Sequence, residues 1–67
     1  MAWVVREGLG GPAIVSFRYY SEACGYAWRE AKRLLVEYWL YAECEAGKIG
    51  TPVRAFGPDS TLGPAPY

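Results

Sequence analysis

The side chains that could do chemistry are few. Cys24 and Cys44 are the two thiols, Ser16, Ser21 and Ser60 the serine hydroxyls, and Glu30 and Glu37 the one pair of carboxylates at helical spacing. The chain contains no histidine, so neither thiol nor hydroxyl has an imidazole to act as its base. Cys24, near an expected helix start, could have its thiol activated by the helix dipole. It also falls on an apolar stripe, which assigns it to the core instead. Arg33 stands between Glu30 and Glu37 at i+3 and i−4 spacing, which favours an exposed ion-pair ladder over an acid–base pair. Gly8-Leu9-Gly10-Gly11 could suggest a phosphate cradle, but a cradle must open a helix N-terminus. This one leads into Pro12 and a strand, so it reads as a turn. The two cysteines form no CxxC pattern, and no zinc site is expected. Catalytic residues, metal and cofactor are all expected to be absent.

The element that would position most of these groups is a predicted helix from Ser21 to Gly47. Ser21 can cap its start, Glu22 suits the positive end of the dipole, and Gly47 suits the C-terminal end. At 100° per residue, Cys24, Ala27, Ala31, Leu35, Tyr38 and Ala42 form one stripe, flanked by Trp28, Leu34, Trp39 and Tyr41. Val36 and Leu40 fall on the opposite side among charged residues. A helix apolar nearly all round is buried on both sides, which one small hairpin cannot provide. On this reading Cys24 and Cys44 lie ~30 Å apart along the helix and cannot pair.

Ahead of that helix, Trp3–Glu7 and Ala13–Tyr20 read as strands joined by a glycine turn, an antiparallel hairpin. Val15, Phe17, Trp3 and Val5 are the expected partners of the helix stripe. From Thr51 onward prolines stand at 52, 58, 64 and 66, giving an extended arm with apolar anchors at Val53, Phe56, Leu62 and Tyr67. The expected fold class is α+β, in ββα order. A domain at 1–50 is followed by the arm at 51–67, and removal of residues 55–67 should leave the helix intact.

Sixty-seven residues is near the size where a single core is marginal, and such folds add a disulfide, a metal or a second subunit. Seven basic residues balance seven acidic ones, which disfavours affinity built on neutralising phosphates. No segment approaches the ~20 apolar residues of a membrane span, and unpaired thiols suit a reducing compartment. A cytoplasmic protein without membrane contact is expected.

Glu-x-x-Gly-Gly-x-x-x-Val-Ser-Phe, at Glu7–Phe17, followed by a helix resembles the antitoxin half of HicAB-type toxin–antitoxin pairs. Met-Ala-Trp-Val-Val-Arg with a hairpin and helix resembles the arm-binding domain of phage-type integrases. Each resemblance covers at most forty residues and lacks the third strand expected there, so no residue role is carried over. The expected function is that of a small non-catalytic protein-binding module: an adaptor, an inhibitor or an accessory subunit. It would act as a homo-oligomer, a dimer, with another protein as partner. The interface residues would be Val36, Trp39, Leu40, Tyr41, Phe56, Leu62 and Tyr67. The alternative is a nucleic-acid-binding regulator that uses a dimer of hairpins, with Arg6 and Arg18 on an exposed sheet face.

Overall fold

The computed structural model describes residues 2–43 and 48–59. Strands β1 (Ala2–Glu7) and β2 (Ala13–Phe17) come first, then helix α1 (Tyr20–Leu34), then strands β3 (Tyr38–Glu43) and β4 (Thr51–Phe56). They form one antiparallel sheet in the order β2-β1-β3-β4. The class is α+β. Both β2 and β3 run antiparallel to β1, so they run parallel to each other with β1 between them, and α1 carries the chain from one to the other.

The β1–β2 hairpin forms as its sequence directs. Gly11 donates its N–H to the Gly8 carbonyl at 3.2 Å, and Gly10 holds φ at 75°. A type II turn needs that left-handed angle at its second central residue, where glycine meets no Cβ penalty. The register shifts by one residue between Val5 and Arg6, a bulge that leaves Ile14 as the extra residue of β2.

The helix departs from expectation at both ends. Its first residue is Tyr20, Tyr19 occupies the cap position, and no side chain caps it, so Ser21 is not the N-cap. It ends at Leu34 rather than near Gly47. Leu35 turns into the left-handed region at φ 57°, with its N–H directed to the Ala31 carbonyl. Val36 donates to the same carbonyl at 3.3 Å. A bond from the second residue past the helix end back to the fourth residue from that end is the Schellman closure, usually built on glycine. Val36 packs against the core beside it.

Released from the helix, Val36–Glu43 becomes the turn into β3 and β3 itself. This strand pairs with β1 on one side and β4 on the other. Its apolar residues face both ways because both faces of a central strand are covered. The sequence pattern required burial on two sides; a strand, not a helix, satisfies it.

Residues 51–56 of the expected arm are the edge strand β4. Pro52 is tolerated there because an edge position need not donate to a ladder on its outer side. Of the remainder of the arm, residues 60–67 lie outside the described residues.

The core is a thin sandwich, and the molecule measures 15 Å in its shortest dimension. Ala23, Cys24, Ala27 and Ala31 line the inner face of α1, all fully buried. Small side chains let the helix backbone lie close to the sheet, where Val5, Tyr38, Leu40 and Phe56 fill the space. Phe17 packs on Tyr26 with ring centroids 5.6 Å apart, and Trp3 meets Tyr20 edge-on at 5.1 Å. Complete burial of Leu40 or Phe56 contributes about 1.5–3 kcal/mol each.

Candidate protein-contact surface

The sheet face away from α1 is organised by one buried charge. Arg6 of β1 gives Nε to the Glu43 carboxylate at 2.9 Å and Nη2 at 2.8 Å. Its Nη1 donates to the Gly11 carbonyl at 3.0 Å. The guanidinium lies over the Tyr41 ring, 5.4 Å from its centroid, and the Tyr41 hydroxyl accepts from the Gly10 N–H at 2.7 Å. The glycine turn thus folds back over this face and is held there by two side chains. Arg6 was expected on an exposed face, free to meet a phosphate. Its charge is committed to Glu43 instead, while Arg18 is exposed.

Of the groups considered for chemistry, Cys24, Glu30 and Glu37 are engaged structurally. Burial pushes the Cys24 thiol above its ordinary range, against weaker opposing effects of a hydrogen bond with Tyr20 and the charge of Arg54. A buried thiol held protonated is a poor nucleophile. Glu30 binds the Arg33 guanidinium through both oxygens, and that hydrogen bonding holds its carboxyl below the usual range. Glu37, expected as the other rung of that ladder, accepts from Trp39 Nε1 at 2.9 Å. Among the described residues no three His, Cys, Asp or Glu side chains converge to hold a metal. Among them no helix is long and apolar enough to cross a membrane. Cys44, Leu62 and Tyr67 lie outside the described residues.

The expected interface residues are scattered rather than gathered. Leu40 and Phe56 are fully buried in the chain's own core, and Tyr41 is buried on the opposite face. A long helix and a free arm would leave Leu40 and Phe56 for a partner to cover. As strand residues they and Tyr41 turn into the sheet's two covered faces. Val36 and Trp39 are half-buried.

Other apolar residues are the ones left in solvent. Leu34 is 46% exposed and Leu35 75%, adjacent to each other where α1 ends. Leu9, at the tip of the hairpin turn, is 64% exposed. Gly8 donates its N–H to the Glu37 carbonyl at 2.9 Å, which ties the hairpin turn to the turn after α1. These leucines therefore share one end of the molecule. The sequence places Leu34 and Leu35 on or beside a buried stripe, and the left-handed turn at Leu35 moves them out of it. No family model matches the chain, and neither a curated protein nor a solved structure matches it.

Proposed function

We propose that the protein is a small non-catalytic protein-binding module that meets its partner with the apolar end formed by Leu34 and Leu35. The observation that supports this is Leu35 itself, three-quarters exposed in a left-handed conformation. An L-residue pays roughly 1–2 kcal/mol to sit there, and glycine would close the helix without strain. A leucine at that position gains nothing within the chain. Pressed against a partner, it would bury a large side chain that is already pointed outward. The committed Arg6 and the absence of net charge weigh against phosphate as the ligand. Adaptor, inhibitor and accessory subunit remain the classes this chemistry serves.

The test compares the wild type with a Leu34→Asp/Leu35→Asp variant as baits in an extract of the native host. Circular dichroism first establishes that the two have equal helix content. A protein retained by the wild type at 0.5 M salt and lost from the variant supports the reading. Equal capture by both baits, or material that disappears on nuclease treatment, overturns it.

A further inference from the structure

The sheet has two edges, and they differ in how they are protected. Natural edge strands are blunted by proline, charge or a bulge, because an unguarded one pairs with other chains. β4 carries Pro52 and Arg54, with a register shift beside them at Val53. The five residues of β2, Ala-Ile-Val-Ser-Phe, contain neither proline nor charge, and Ile14 among them is 42% exposed. The bulge at Ile14 lies at the upper end, leaving Val15–Phe17 in regular register with β1.

Hydrogen-bond alternation shows which backbone groups face outward. Glu7 donates to Pro12 on the β2 side, and the next residue, Gly8, donates to Glu37 on the β3 side. Alternating back along β1, Val5 and Trp3 point to β2, where their partners are Val15 and Phe17. Those two residues spend their backbone groups on β1. Ser16, between them, points its N–H and C=O away from the sheet.

We infer that β2 pairs antiparallel with β2 of a second copy of this chain, with Ser16 opposite Ser16 on the two-fold axis. In that register the two Ser16 residues exchange both of their outward hydrogen bonds. Val15 stands opposite Phe17 of the other copy, twice over, on the face that carries the helices. Both are half-buried and already packed against the core, so the two cores become continuous. Ile14 comes next to Arg18 of the other copy, which brings no two like charges together. The strand is therefore complementary to itself, and a chain without net charge offers no long-range repulsion between copies. Two open four-stranded sheets would become one of eight strands, with the guarded β4 edges outermost. The contact is separate from the Leu34–Leu35 end and does not depend on its role.

The test is sedimentation of the full chain between 5 and 500 µM, together with hydrogen exchange at the Ser16 amide. A twofold rise in mass across that range is expected, with Ser16 protection rising in step. Ser16→Pro removes only an outward-facing donor, and it should hold the chain at monomer mass with the helix intact. Ile14→Lys, which would set two cations together across the axis, should do the same if the proline variant fails to fold. Thr51→Lys, on the opposite edge, should leave the dimer unchanged. A wild type that stays monomeric at 500 µM overturns the inference. So does a dimer that survives both β2 variants, or one whose Ser16 amide exchanges equally fast at all concentrations.

Discussion

Arg6 and Glu43 are 37 positions apart in sequence and meet at 2.8 Å on the sheet face opposite the helix. Their side chains are 12% and 9% exposed, so the pair is well withdrawn from water. Removing one partner leaves the other charge buried without compensation. Glu43→Ala should destabilise the fold by about 3 kcal/mol in urea unfolding. A double change of Arg6 and Glu43 to methionine should recover much of that loss. The exposed Glu30–Arg33 pair is the control, and Glu30→Ala should shift the urea midpoint little.

Leu35→Gly should raise stability, because glycine adopts the left-handed turn without a Cβ clash. Relief of strain, less the entropy glycine adds to the unfolded chain, leaves a gain of roughly 0.5–1 kcal/mol. For a domain of this size that is a rise of about 2–8 °C in Tm by calorimetry. The same variant should bind the proposed partner more weakly. A fall in Tm would mean that the Leu35 side chain holds something in place.

Leu40 distinguishes a core from an interface. Leu40→Ala should cost about 2–5 kcal/mol, the range for cavities opened in a packed interior. Leu40→Glu should abolish cooperative unfolding rather than dissociate a folded assembly. Removal of residues 55–67 should act the same way, since it deletes Phe56 from the core. Loss of near-UV dichroism in either variant is the expected readout.

Stability should also fall in alkali. Burial raises Tyr38 above its ordinary value of 10.0 and Cys24 above its ordinary value of 9.0. The folded chain holds both protons more tightly than the unfolded chain does. The stabilisation is complete below pH 9 and is lost as pH rises through the folded values. Urea midpoints measured from pH 7 to 11 should be flat and then decline. Cys24→Ala should remove the earlier part of the decline and Tyr38→Phe the later part.

The hairpin, the small-residue stripe of Cys24, Ala27 and Ala31, and the α+β class were legible because local chemistry decides them. Gly10 fits its turn, and alternation sets β2 against the helix. The stretch from Leu34 to Ala42 misled because nothing in it is a glycine or proline. The signal that could have corrected it is Tyr38-Trp39-Leu40-Tyr41, three aromatic strand-formers in four residues. β4 was hidden by Pro52, which excludes a central strand but not an edge. The surface followed from these errors. Once β3 and β4 are strands, Leu40, Tyr41 and Phe56 go inside and Leu34 and Leu35 come out.

The position of β1 between β2 and β3 constrains how the chain can reach this structure. The β1–β2 hairpin can close early, since its strands are neighbours in sequence. The other side of β1 must wait for a partner far along the chain, with Ala2 finding Glu43 and Glu7 finding Tyr38. Pairings that distant close large loops and slow the search. Until they form, β1 presents a second bare edge beside that of β2. The left-handed turn at Leu35 reverses the chain from helix to strand and delivers Tyr38 to Glu7. Its strain is therefore located at the step that commits the chain to its fold, and relieving it should change the folding rate as well as the melting point.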